Sequence, residues 1–517
     1  MYATAVRLSG RLRKNTMTLR QWTALFCALS VAGSGIAAPV SRASTNAPLD
    51  LNLPSLGTTA DSSLSPSAER ALGAGLMTQV RNDPSYISDP VLSEYLNKLG
   101  YRLVSSAKSY TYQFFFFPIR DTSLNAFALP GGYIAMHTGT IVAARTESEL
   151  AAVLSHEIGH VSQRHIARMI ESQRANLPLT IGSLLLAILA ARAGGNSGGH
   201  AAAAIAMGGQ AAMIQSMLNY SQDAEREADR IGLQTLVNAG FDPKGMAGFF
   251  ERLQANNRLY ESAAPAYLST HPLTISRLSE MEQRAKQLPQ RTHQDSIDFS
   301  LIQMRARILQ LTTHDAWLKE KSQIENELEK ASGLKAAAAH YGLSVADTYL
   351  NRPKEAYREA QLAMSAGSSA VLAQNLSLTR YLAAGSDAEK NEALKQAERD
   401  IQRFPLSAMI SENYADLLFR ENRHRDLIRF LHNSNILQES TNYHALLARS
   451  YAKLGEKSEQ YRHTGEMYVR LGDLEAAEYQ YALAQKAADG DFYTMSEIDA
   501  RLRELRARIL EEKKLRD

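Results

Sequence analysis

At 517 residues, with 45% hydrophobic and 21% charged side chains, the chain has room for more than one domain, and its composition excludes a disordered or fibrous protein. Its formal net charge of +3 comes from the first segment: six of the 57 bases (Arg7, Arg11, Arg13, Lys14, Arg20 and Arg42) and no acid fall in residues 1–43, so the remaining 51 face all 54 acids. A mildly acidic body argues against a nucleic-acid partner.

The basic stretch 7–20 leads into an apolar run over 22–31 and then into small residues through Ala38 and Ser41-Arg42-Ala43. This is the tripartite shape of a secretory signal, with an apolar core too short for a membrane span. Cleavage is expected after Ala43, because Pro39 sits badly just after a cut at Ala38. The single cysteine, Cys27, lies inside the apolar run behind bulky Phe26, which argues against lipidation. The exported chain then has no disulfide and must be held by core packing and metal. Residues 44–66, rich in Ser, Thr, Pro and Asn, read as a flexible leader.

Helical patterns are predicted from Ser67, after the Ser65-Pro66 start signal, and over 90–104. The aromatic run 110–119 predicts a strand. Residues 126–129 and 133–137 predict a pair of short strands around Gly131-Gly132, either core sheet or an edge able to pair with an extended peptide. Thr146 with Glu149 forms a capping box that opens a helix predicted to run over 147–171. The apolar stretch 177–191, the glycine-rich Gly194-Gly195-Asn196-Ser197-Gly198-Gly199 and residues 201–217 predict a helical hairpin, packed on the domain or leaning on a membrane or partner. A helix over 222–238 ends at Gly240. Asp242-Pro243 starts another, and His271-Pro272 a third that reaches Leu288-Pro289.

His156-Glu157-Ile158-Gly159-His160 is an HExxH motif. Residues four apart on a helix lie one turn apart on one face, so both imidazoles reach one zinc while Glu157 sits beside the water it polarises. Leu150, Val153, Leu154, Ile158 and Val161 supply that helix with an apolar stripe. A third ligand is needed, and Glu225 and Asp229, another i,i+4 pair, are the candidates: one carboxylate binds metal and the other orients a ligand histidine. Glu227 is a rival pointing about 160° away from both. His271 stands before a helix start, as an oxyanion stabiliser, a ligand for the open zinc position, or a capping histidine. His165 falls opposite His156 and reads as a surface histidine; His137 is a weaker cleft candidate.

These residues resemble the gluzincin metallopeptidases related to the prenyl-protein protease and the heat-shock protease HtpX, and within them the periplasmic branch. The resemblance covers about 67–290. It includes Asn125-Ala126-Phe127-Ala128, His165-Ile166-Ala167-Arg168, Gly240-Phe241-Asp242-Pro243, Thr270-His271-Pro272-Leu273 and Arg277-Leu278. It implies one zinc per chain held by His156, His160 and Glu225, with Glu157 as general base and Asp229 bracing from behind. It also implies that His271 can occupy the metal and hold the enzyme latent.

Beyond residue 296 the periodicity is that of helix–turn–helix repeats of tetratricopeptide type. Its best unit is Gly465, Tyr468, Gly472, Ala477, Tyr481 and Ala484; Leu343, Ala356, Ala360 and Ala363 form a weaker one. The expected organisation is a signal peptide (1–43), a leader (44–66), an α+β, mainly helical zinc metallopeptidase domain with a small sheet (67–292), and an all-α repeat domain (293–517). The resemblance implies a periplasmic enzyme of a Gram-negative bacterium acting on unfolded or misassembled outer-membrane proteins. Its repeats would dock on the β-barrel assembly machinery, with peripheral membrane contact in reach. The alternative is a latent peptidase serving mainly as a chaperone or scaffold.

Overall fold

The computed structural model describes residues 65–107, 112–169, 222–259, 271–289, 291–438, 440 and 442–516. The export segment, all but the end of the leader, the start of the strand expected from Tyr110 and the hairpin expected over 177–217 lie outside these residues. The chain folds as two compact units, one of residues up to Ile87 with Leu96–Asp295, the other of Ser88–Tyr95 with Ser296–Asp517. The described structure is mostly helical with one small sheet, an α+β arrangement. Among the described residues no helix is long and apolar enough to cross a membrane.

The first unit opens with α1 (Pro66–Asn82), whose cap Ser65 accepts from Ala68 N; α2 (Pro90–Val104) follows, and belongs to this unit from Leu96 onward. The sheet has three strands, β1 (Phe115–Ile119), β2 (Ala126–Leu129) and β3 (Tyr133–His137), in the order β1-β3-β2. β3 runs parallel to β1 and antiparallel to β2. The β2–β3 turn requires glycine, because Gly131 and Gly132 both have positive φ (78° and 95°). Phe117, Ile119, Leu129 and Ala135 bury one face of the sheet against Met77 and Val80 of α1. The outer side of β1 is taken by Asn97, which donates to Phe116 O (2.8 Å) and accepts from Phe116 N (3.2 Å). β2 is therefore the edge strand on the opposite side.

α3 (Thr138–Ala143) leads into α4 (Glu147–Ser162), the HExxH helix. Thr146 Oγ1 accepts from Glu149 N as the capping pattern requires, while the Glu149 side chain reaches one residue past the cap, Oε2 accepting from Arg145 N (2.7 Å). Nearly every α4 side chain is buried. The helix stops well short of the expected 171, because Arg164 takes a left-handed conformation (φ 53°) and a separate helical turn begins at 165.

α5 (222–238) crosses α4 at two glycines. A Cβ on Gly159 would meet Ala228 O at 2.9 Å, and one on Gly232 would meet His156 N at 3.0 Å. Only hydrogen at both positions lets the helix backbones approach closely enough for α5 carboxylates to reach α4 imidazoles. α6 (Lys244–Leu259) begins where Asp242 Oδ1 accepts from Lys244 N. α7 (Ile275–Gln287) starts at Thr274, which caps Arg277 N, and not at the expected His271-Pro272; the threonine hydroxyl satisfies the orphan N–H that Pro272 cannot serve.

The second unit is built of helices from Ile297–Leu309 to Phe492–Arg516, joined by short turns and packed chiefly on their sequence neighbours. Lys457–Leu471 and the preceding Tyr443–Leu454 both end in left-handed glycines, Gly472 and Gly455. Ala477, Tyr481 and Ala484 share an apolar cluster with Ile498, Leu502 and Leu505, and the Tyr481 ring lies against Gly465. Ala356, Ala360, Ala363 and Leu343 are all buried.

Candidate metal centre and active site

Helix periodicity brings His156 and His160 to one face of α4, with their Nε2 atoms 3.0 Å apart. α5 adds Glu225, whose Oε2 lies 3.3 Å from His156 Nε2 and whose Oε1 lies 3.2 Å from His160 Nε2. His271, just ahead of α7, completes the group: its Nδ1 is 2.8 Å from Glu225 Oε1 and 3.4 Å from His156 Nε2. One ligand atom from each of these four residues lies within 4.8 Å of every other.

The arrangement fits a divalent metal on two counts. A tetrahedral ion with bonds of about 2.0–2.1 Å spaces its donors roughly 3.3 Å apart, close to the separations found here. The charges agree as well. Glu157, Glu225 and Asp229 are buried carboxylates, and Arg277 is a buried guanidinium paired with Glu225 and Asp229. With neutral imidazoles the balance is −2, which a dication cancels.

Glu157 is fully buried at this cluster, with Oε1 3.6 Å from His271 Nε2. Burial pushes its pKa up, against His271, His156 and the Ala128 backbone, which favour its charge. β2 itself packs against α4, the helix that carries this carboxylate. Asp229, one turn beyond Glu225, holds His156 from behind, Oδ1 to Nδ1 at 3.0 Å. Burial would raise the Asp229 pKa, but Arg277 and His156 outweigh it and hold the carboxyl below its usual range.

The six residues singled out from the sequence therefore meet at one place. Two others join them. Arg277, 1% exposed, grips Asp229 with two hydrogen bonds (2.7 and 2.8 Å) and reaches Glu225 Oε2 at 2.9 Å. Its signal was legible: Arg277, Met281 and Ala285 form the buried stripe of α7, and an arginine on an apolar stripe must be paired. His165 is not a surface residue; it is buried, with Nδ1 2.8 Å from His160 Nδ1. The turn at Arg164 put it there, and no sequence periodicity foretells that turn. Glu227, the rival ligand, faces away from the cluster and bonds His165 Nε2 (3.0 Å) and Arg168 (2.7 Å), which hold its pKa down to about 2. His137 points elsewhere, to Ser123 Oγ and the Phe127 ring.

A helix-borne HExxH pair, completed by a carboxylate from a second helix and flanked by a small sheet edge, defines a metallopeptidase. The model of Peptidase family M48 matches residues 90–285. The chain is 33% identical over 464 residues to the beta-barrel assembly-enhancing protease of Escherichia coli, a match covering 88% of this chain and 91% of that protein. It is 45% identical over 279 residues to the putative beta-barrel assembly-enhancing protease of Vibrio cholerae, covering 53% of this chain and 55% of the relative. A shorter match, 32% over 169 residues, links it to the mitochondrial metalloendopeptidase OMA1 of Schizosaccharomyces pombe, covering 32% of this chain and 44% of that one. The chain belongs to peptidase family M48, as a metalloendopeptidase resembling the beta-barrel assembly-enhancing proteases.

Proposed function

We propose that this is a periplasmic zinc endopeptidase of a Gram-negative bacterium, acting in outer-membrane protein quality control. The observation that carries the reading is the convergence of His156, His160, Glu225 and His271 on one point beside buried Glu157. His156, His160 and Glu225 hold the zinc. Bound there, zinc lowers the pKa of a water and polarises the scissile carbonyl. Glu157 accepts that water's proton and returns it to the leaving amine, and burial raises its proton affinity, as a base requires. Asp229 fixes the tautomer of His156 by accepting from Nδ1, and Arg277 fixes Asp229. An extended peptide adds to the edge of β2, which presents its scissile bond to Glu157.

His271 occupies the position that a water and a substrate carbonyl need. This favours a latent resting state in which His271 must leave before hydrolysis begins, and it supports a second role in assembly without cleavage. The paired helices of 297–516 are read as tetratricopeptide-like, a class of repeat whose stacked helices form a concave surface suited to partners. The relatives are named for enhancing β-barrel assembly; the substrates in this reading are unfolded or misassembled outer-membrane β-barrel proteins, and the docking partner is the barrel assembly machinery. Residues 1–43 serve export, and one zinc is bound per chain.

The test follows an outer-membrane β-barrel protein in cells that carry wild type, Glu157→Gln or no copy of this chain. Degradation of stalled barrels in wild type alone, with assembly supported by both forms, is the expected result. Equal degradation in all three strains would refute the assignment.

A further inference from the structure

His160 and His156 are braced differently. Asp229 meets His156 Nδ1 directly. His160 Nδ1 instead meets His165 Nδ1 at 2.8 Å, with the rings 4.8 Å apart and 77° to each other. His165 passes the contact on through Nε2 to Glu227 Oε2 at 3.0 Å, and Arg168 Nη2 clamps the same oxygen at 2.7 Å.

The direction of these bonds follows from their outer end. A carboxylate held by a guanidinium only accepts, so His165 donates through Nε2–H. Its Nδ1 then carries a lone pair and accepts from His160 Nδ1–H. His160 is left with its Nε2 lone pair toward the cluster, the one tautomer able to bind metal there. The backbone is bent to make this contact. On an unbroken helix His165 would lie five residues and about 140° around from His160. The left-handed Arg164 (φ 53°), a conformation that costs a non-glycine residue strain, turns it back. Glu69, buried beside Arg164 Nε at 3.3 Å, anchors that turn.

We propose that His165 is a positioning residue for the metal centre, linking His160 to Glu227 and fixing His160 as the neutral tautomer whose Nε2 faces the metal. The proposal rests on the assignment of His160 as a zinc ligand.

The test is zinc affinity, measured on the full-length protein by competition with a chromophoric chelator, with metal-free melting curves alongside. His165→Ala weakens zinc binding by about 10–100-fold, the effect typical of losing such a brace. His165→Asn places Oδ1 where Nδ1 stood, so it restores most of the affinity. Glu227→Ala weakens binding in wild type and has no effect in the His165→Asn background, where the link to Glu227 is already cut. A purely packing role gives a different pattern: His165→Asn binds as poorly as His165→Ala, or Glu227→Ala acts equally in both backgrounds. Either result overturns the proposal, as does wild-type affinity in His165→Ala. His160→Ala separates the two levels. If it loses zinc while His165→Ala does not, only the proposal falls; if it keeps full affinity, the reading of the site falls and takes the proposal with it.

Discussion

His271 Nδ1 stands 2.8 Å from Glu225 Oε1, while Nε2 of the same ring lies 3.6 Å from Glu157 Oε1, so one imidazole separates the third candidate ligand from the candidate base. A water attacking a carbonyl at this point would need the volume the ring fills. His271→Ala therefore raises the initial rate of peptide hydrolysis, on the order of tenfold if about one molecule in ten is unlatched at rest. The check is steady-state hydrolysis of an unfolded substrate by both forms. A fall in kcat would instead make His271 an oxyanion donor.

Arg277 is buried and shared by Asp229 and Glu225. Removing one partner of a buried pair costs about 3–5 kcal/mol, because the charges left behind stay uncompensated. Arg277→Met should thus lower the urea midpoint markedly, and zinc should restore part of the loss by neutralising Glu225. An unchanged midpoint would show that water already screens the pair.

Gly159→Ala tests the α4–α5 crossing. The added methyl would sit 2.9 Å from Ala228 O, and the backbone cannot give there without separating the helices. Overpacking of this kind costs about 1–3 kcal/mol, more than the roughly 1 kcal/mol that alanine returns as a helix former. Lower melting temperature together with weaker zinc binding is expected. A gain in stability would mean that the helices have slack.

Local periodicity explains why His156, Glu157 and His160 were legible in the sequence: one turn of helix sets their spacing, and Thr146 sets where the helix starts. Glu225, Glu227 and Asp229 were legible as a candidate set, but the residues alone left the ligand open. Which acid meets the imidazoles depends on the helix crossing at Gly159 and Gly232, a tertiary contact. His165 was misread because a helical wheel assumes an unbroken helix, and Arg164 breaks it. The start of α7 was misplaced because His271-Pro272 mimics an N-terminus, whereas Thr274 carries the hydroxyl that caps it. In the second unit the alanine and tyrosine positions marked as repeat positions pack in the core.

His137 gives the fold an acid limit away from the metal centre. It is 4% exposed, and burial pushes its pKa down to about 4 despite Asp121 nearby. The unfolded chain, with a histidine pKa near 6.5, binds the extra proton more readily between these values. Stability is therefore full above about pH 6.5, declines as pH falls, and levels off below about 4. The loss attributable to this group is on the order of 3 kcal/mol. Denaturant melts at pH 7.5 and 4.5 should show this loss in wild type and a smaller one in His137→Gln. An equal loss in both would assign the acid sensitivity to other groups.

Metal-dependent hydrolysis with Glu157 as the base is the proposed activity. The most direct measurement is cleavage of casein by the purified full-length chain, with and without a chelator, for wild type and Glu157→Gln, each with its zinc content determined. One zinc is expected in both proteins, with cleavage by wild type that the chelator abolishes and added zinc restores, and a rate lower by about 10²–10⁴-fold in Glu157→Gln. Cleavage that survives the chelator, or that Glu157→Gln carries out at the wild-type rate, would contradict it.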